Sequence, residues 1–137
     1  MGRRAEVNLL LDTHIWLWNF TDLDRLARRV DRAINDSRNE LWVSPVSTWE
    51  ISLLYDSGRL KLTGGPNAWV QEAMTRAPLR EAPLTHEIAL ATRSVRLAHK
   101  DPADRFLVAT ALVHGLTLVT ADRQLSRLEQ VKVLVNQ

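Results

Sequence analysis

His99-Lys100-Asp101-Pro102-Ala103-Asp104-Arg105-Phe106-Leu107-Val108-Ala109-Thr110-Ala111-Leu112-Val113-His114-Gly115-Leu116-Thr117-Leu118-Val119-Thr120-Ala121-Asp122 reads as one helix-then-strand unit. Asp101 is placed as a helix N-cap, and Pro102 suits the first helical position. Phe106, Leu107, Ala109, Thr110 and Val113 fall at the spacing of a buried helix side. Gly115 ends the helix, as a glycine just past a C-terminus does. Leu116 to Thr120 is then a short apolar strand that runs into Ala121 and Asp122. The helix therefore begins with acids and the strand ends in one. In a parallel α/β sheet, ligands bind outside the carboxyl ends of the strands.

The rest of the chain repeats this alternation. Val7 to Leu11 is an apolar run of the kind buried on both faces of a parallel sheet, and it ends in Asp12-Thr13-His14. It is too short for a membrane span or a signal segment. Ile15 to Phe20 predicts a short helix with Thr13 as its cap. Asp22 to Ser37 predicts a helix with Leu23, Leu26, Val30, Ala33 and Ile34 on its apolar stripe. Arg25, Arg28, Arg29 and Arg32 form an opposing stripe, read as a solvated face, with an RNA-backbone contact as the other reading. A strand is expected at Glu40 to Ser44, a helix at Pro45 to Ser57, a turn at Gly64-Gly65-Pro66 and a helix at Ala68 to Arg76. Leu79 to Leu84 predicts a strand, weakened by Pro83. Thr85 to Ala98 predicts a helix with Ile88, Ala91, Val95 and Leu97 inward. A short helix with Leu125 and Leu128, and a strand at Val131 to Val135, complete the pattern. The fold class is α/β, with a mostly parallel sheet of about five strands and helices on both faces. With no internal repeat or linker, residues 1–137 are read as one domain.

Composition narrows the chemistry. Of 137 residues, 45% are hydrophobic and 25% charged, which is ordinary for a globular protein. There is no cysteine, so disulfide frameworks and thiolate metal sites are excluded, in keeping with a reducing cytoplasm. The formal charge is +2; sequestering four carboxylates in a site would leave 18 basic against 12 acidic groups, or +6. Such a remainder suits an anionic partner such as nucleic acid, although a mildly basic balance also arises without one.

Each candidate acid has two readings. Asp12 caps the helix after the first strand, or it belongs to a site. Glu50 stands three residues after Ser47, a formal capping box; if the helix starts instead at Ser44-Pro45, that role fails. Asp101 and Asp104 fit the first turn of a helix, where the dipole favours negative charge. Asp122 ends a strand and is also placed to cap the short final helix. Taken together, two strand ends and two early helix turns place Asp12, Glu50, Asp104 and Asp122 on one sheet edge. Carboxylates converging there repel unless a cation or protons intervene. An oxygen-only donor set suits Mg²⁺ or Mn²⁺, ions that serve phosphodiester chemistry. His14, His86, His99 and His114 lack metal-ligand spacing, though His14 and His99 are placed to line such a site. No G-x-S-x-G, Walker A loop or G-x-G-x-x-G occurs. Trp16 and Trp18, close to Asp12, are read as core or interface residues, with base stacking as the alternative.

Four segments, Leu9-Leu10-Leu11-Asp12-Thr13-His14-Ile15-Trp16, Ser44-Pro45-Val46-Ser47-Thr48-Trp49-Glu50-Ile51, His99 to Ala111, and Leu116 to Asp122, resemble the PIN domain. More narrowly they resemble the VapC-type ribonuclease toxins of prokaryotic toxin–antitoxin systems. The resemblance implies a three-layer α/β/α sandwich and a Mg²⁺- or Mn²⁺-dependent endoribonuclease. It implies that Asp12, Glu50, Asp104 and Asp122 are catalytic and hold the metal, and that the Thr120 hydroxyl helps place water or the metal. Asp101 matches the Asp-Pro-x-Asp-Arg form of part of the family. An RNA substrate, a cognate antitoxin protein, a homodimer and a cytoplasmic location are implied with it. Two other classes remain: a non-catalytic PIN-like binding module, and an aspartate-based phosphatase or phosphotransfer domain. The last is disfavoured by His14 where a second acid is expected, and by the lack of a lysine after Thr120.

Overall fold

The computed structural model describes residues 7–98 and 101–137. Five strands form one all-parallel sheet: β1 (Asn8–Leu11), β2 (Glu40–Val43), β3 (Leu79–Glu81), β4 (Thr117–Thr120) and β5 (Val133–Val135), in the order β3-β2-β1-β4-β5. The helices are α1 (Thr13–Thr21), α2 (Arg28–Asn35), α3 (Pro45–Asp56), α4 (Gly65–Arg76), α5 (His86–Ala91) and α6 (Pro102–His114). The α/β/α architecture expected from the sequence is the one observed.

The sheet is covered on both faces because its central strands point apolar residues to both sides. Leu9 and Leu11 of β1 join one core cluster with Ile15, Trp16, Val30 and Ile51; Leu10 joins the other with Ile88, Leu107 and Val108. β4 divides in the same way, Val119 to the first cluster and Leu118 to the second. This is the period-two alternation of a strand with both faces buried. α6 is correspondingly buried around most of its middle. Leu107, Val108, Ala109, Thr110 and Ala111 are all buried, whereas Phe106 and Val113, expected on the inner side, are only half-buried. Gly115 ends α6 in the left-handed region at φ 65°, which spares a side chain the cost of that conformation.

Several boundaries differ from expectation, each for a tertiary reason. The single helix expected over 22–37 is a 3₁₀ turn, Leu23–Arg25, followed by α2, with Leu26 and Ala27 extended between them. Asn136 holds that break: its Oδ1 accepts from the Ala27 amide at 2.6 Å and its Nδ2 donates to the Arg25 carbonyl at 2.8 Å. The helix expected over 85–98 ends at Ala91 and passes through a 3₁₀ turn, Thr92–Ser94. Arg105 Nη1 binds the Thr92 and Val95 carbonyls, and the Gln130 side chain binds the Ser94 carbonyl and the Arg96 amide. α4 begins at Gly65, earlier than expected, because Pro66 is tolerated in a first turn. β3 ends at Glu81, just ahead of the proline. Trp16 is fully buried, in edge contact with Trp69 at 5.0 Å, so it is a core residue and neither a base platform nor a contact surface.

Candidate active site

β1 and β4 lie side by side, with Leu11 opposite Val119. The Asp12 amide donates to the Val119 carbonyl at 2.9 Å, which brings Asp12 and Thr120 together one step beyond that pair. Asp12, not Thr13, is the N-cap of α1: its Oδ1 accepts from the Thr13 amide at 2.7 Å. Its Oδ2 accepts from the Thr120 hydroxyl at 2.6 Å. That hydroxyl in turn accepts the Asp122 amide at 3.0 Å, and Asp122 Oδ1 accepts the Gln124 amide at 2.9 Å. One buried threonine therefore fixes two of the acids.

The start of α3 rules out the capping-box reading of Glu50. Ser44 is the N-cap, its hydroxyl accepting from the Val46 amide, and Pro45 opens the first turn. Glu50 lies beyond that turn, so the capping-box role is void. Its Oε1 accepts instead from the Thr13 hydroxyl, and the same hydroxyl lies 2.9 Å from Ser47 Oγ. A hydroxyl has one proton to give. With Glu50 ionised, Thr13 donates to Glu50 and Ser47 donates to Thr13. Sequence reasoning misses both Thr13 and Ser47 as parts of the site, reading them as helix caps. Ser47 and Glu50 stand three residues apart on one helix, a spacing that puts them on one face and is the signal available in the sequence. On α6, Asp101 is the N-cap, its Oδ1 accepting from the Ala103 amide, while Asp104 sits buried in the first turn.

These elements deliver Asp12, Glu50, Asp101, Asp104 and Asp122, with His14, Trp18 and Ala121, to the walls of one cavity of about 370 Å³. Thr120 lies beneath it, fully buried. No lysine or arginine is among the described residues that line it. His99 falls outside the described residues. As the side chains lie, no three of the described His, Asp or Glu residues form a group able to hold a metal ion.

The electrostatics follow from that crowding. Burial pushes the Glu50 carboxyl up to about 7; the Thr13 bond works against this, and the charges of Asp12, Asp101 and Asp104 add to it. Asp12 is also raised, again chiefly by burial, with its bonds to Thr120 and Thr13 and nearby His14 pulling down and Asp122 pushing up. Among the described residues His14 is the one cation-forming side chain on the cavity wall, against five carboxylates. Its donors are hard oxygens, the type that divalent Mg²⁺ and Mn²⁺ prefer, so the residues present fit such an ion.

Residues 9–131 match the PIN domain. The chain belongs to the PIN domain family. This PIN domain is 32% identical over 118 residues to Ribonuclease VapC22 of Mycobacterium tuberculosis (strain ATCC 25618 / H37Rv), covering 85% of this chain and 88% of that one. Its fold is shared with VapBC2 from Rickettsia felis, solved bound to a DNA fragment from its promoter. That match has a TM-score of 0.72 and 14% identity, over 96% of this chain and 100% of the other. DNA-bound VapBC from Salmonella typhimurium matches with a TM-score of 0.67 and 19% identity, over 96% and 99% of the two chains.

Proposed function

We propose that this PIN domain is a Mg²⁺- or Mn²⁺-dependent endoribonuclease, the toxin of a type II toxin–antitoxin pair acting in the cytoplasm. The single observation that carries the reading is the cavity into which five carboxylates, and no lysine or arginine of the described residues, are drawn. The similarity to VapC22, named a ribonuclease, supports the reaction. The shared fold with chains of VapBC complexes supports the antitoxin partner. Among the described residues no helix is long and apolar enough to cross a membrane.

Asp12, Glu50, Asp104 and Asp122 would hold the ion. Burial raises Glu50 and the charges of Asp12, Asp101 and Asp104 add to it; an ion held there would offset that repulsion. When bound, the ion supplies Lewis-acid stabilisation of charge on the phosphate and a more acidic water. The chain's own residues do the rest. Thr120 fixes one oxygen of Asp12 and the backbone of Asp122, so two acids keep their positions without reorganising. Thr13 holds Glu50 Oε1 and leaves Oε2 to accept a proton from the attacking water. Asp101 serves chiefly as the cap that sets the start of α6 and hence the position of Asp104.

The active form is proposed to be a homodimer silenced by a small antitoxin that covers the acid cavity. Trp49 and Leu53, one turn apart on α3 and 50% and 48% exposed, offer an apolar face for such a protein contact. Light scattering that gives a strict monomer at micromolar concentration overturns the dimer.

The deciding experiment uses purified, partner-free protein with structured tRNA and rRNA fragments. Cleavage is expected with Mn²⁺ or Mg²⁺ and none with EDTA. Cleavage that persists in EDTA, or none under any condition, overturns the reading.

A further inference from the structure

The acid cavity does not stand alone. A second cavity, also about 370 Å³, adjoins it, and His14 and Trp18 line both. The charge reverses across that shared wall. The second cavity carries Arg25 and Arg59 against one carboxylate, Asp22. Arg25 reaches over Trp18, its guanidinium 5.4 Å from the ring centroid, and the His14 ring lies 5.7 Å from Trp18 at 50°. Arg25 pairs with Asp22 at 3.2 Å, but both side chains are about half-exposed, and such a pair contributes little. Arg59 forms no ion pair among the described residues.

An acidic pocket joined to a basic, aromatic one is a demanding shape. A free anion is repelled by the first, and a free cation by the second. A chain that alternates phosphates with flat bases fits both if one phosphate meets a cation among the acids and the next nucleotide extends over Trp18. Guanidinium groups take phosphate oxygens in a bidentate fork, and aromatic rings accept any base face. We propose that the cavity of His14, Trp18, Arg25 and Arg59 is a nucleotide subsite for single-stranded RNA, adjoining the scissile phosphate. The phosphate sits between Arg25 and Arg59 and the base rests on the Trp18 wall. The inference rests on the proposed nuclease reading and names where its substrate lies.

The test is binding of a fluorescein-labelled single-stranded RNA oligonucleotide in EDTA, by anisotropy over a series of salt concentrations. The proteins are wild type, Arg25→Ala, Arg59→Ala, Trp18→Ala, Trp18→Phe and, as control, Lys132→Ala, which removes one charge just before β5 at the opposite edge of the sheet. Each arginine variant is expected to bind roughly fivefold more weakly, with the slope of log affinity against log salt reduced by about 0.7, the value for one lost single-strand phosphate contact. Trp18→Ala is expected to weaken binding with little change of slope, and Trp18→Phe to restore most of it. Lys132→Ala is expected to match wild type. Wild-type cleavage with Mn²⁺ is run alongside. If wild type cleaves but both arginine variants bind with wild-type affinity and slope, the subsite is wrong, the cavity falls to a protein partner, and the nuclease reading stands. If Lys132→Ala loses as much as the arginine variants, only net charge is at work and the subsite is again overturned. If wild type neither binds nor cleaves RNA, both readings fall.

Discussion

The Thr120 hydroxyl donates to Asp12 Oδ2 at 2.6 Å while accepting the amide of Asp122 at 3.0 Å. A group with one proton and two lone pairs is thereby used in both senses at once. The bond ties the ends of β1 and β4, so the spacing of two acids is set by strand pairing and not by a loop.

Thr120→Val keeps the shape of this residue and removes both bonds. The Asp122 amide and Asp12 Oδ2 each lose a partner, which costs about 1–3 kcal/mol. Urea unfolding is expected to show that loss, and RNA cleavage to fall with it. Thr120→Ser, which restores the hydroxyl, is expected to recover most of both. A valine variant as stable and active as wild type contradicts the role given to Thr120.

Glu50 gives the protein a pH dependence of defined sign. Its folded value, about 7, lies above the ordinary carboxyl value of 4.5, so the native state holds the proton more tightly than the unfolded chain. Its contribution to stability is full below pH 4.5 and is lost as pH rises through 7. In EDTA, wild type is expected to lose melting temperature relative to Glu50→Gln as pH is raised from 5 to about 8, since glutamine carries no charge to desolvate. Parallel curves for the two proteins count against the assignment.

Asp104 is buried beside the same carboxylates and raises Glu50 through its charge. Asp104→Asn is expected to lower cleavage at least about 100-fold, the scale of losing a positioned electrostatic group. Wild type is expected to melt higher with Mn²⁺ than with EDTA by mass action, and the variant to gain much less. An inactive variant that shows the full Mn²⁺ shift removes Asp104 from the metal-binding set.

Asn136 clasps the break between the 3₁₀ turn and α2 through the Ala27 amide and the Arg25 carbonyl. Asn136→Ala is expected to cost about 1–2 kcal/mol for the two bonds. It is also expected to make the peptide bond after Arg25 the first new site of limited trypsin cleavage, because the segment opens locally. Digestion at the wild-type rate and sites would show the clasp to be idle.

Legible in the sequence is whatever local pattern decides. The run from Val7 to Leu11 reads as a doubly buried strand and is one, give or take its first residues. Asp101, Pro102 and Gly115 bracket α6 correctly because caps are local chemistry. Ser44-Pro45 against Ser47 is a real ambiguity in the sequence, settled only by which hydroxyl reaches which amide. The break at Leu26 is hidden because its cause is a side chain 109 residues away from Ala27. Thr13 reads as a cap because a threonine after a strand often is one; the bonding with Ser47 and Glu50 needs α1 and α3 side by side. Trp16 draws attention for its nearness to Asp12 in sequence, yet on a helix its ring turns inward toward Trp69.

The strand order has a consequence in time. β1 is synthesised early and pairs with β2 nearby in sequence, but its other neighbour, β4, comes from the last part of the described chain. Thr120 follows Asp12 by 108 positions, or ~5–20 s of translation. Throughout that interval Asp12 has no Thr120 to hold it, and α6 supplies Asp104 only near its end. Until β4 is made, a ribosome making this protein therefore carries only scattered acids, and the cluster assembles as β4 docks against β1.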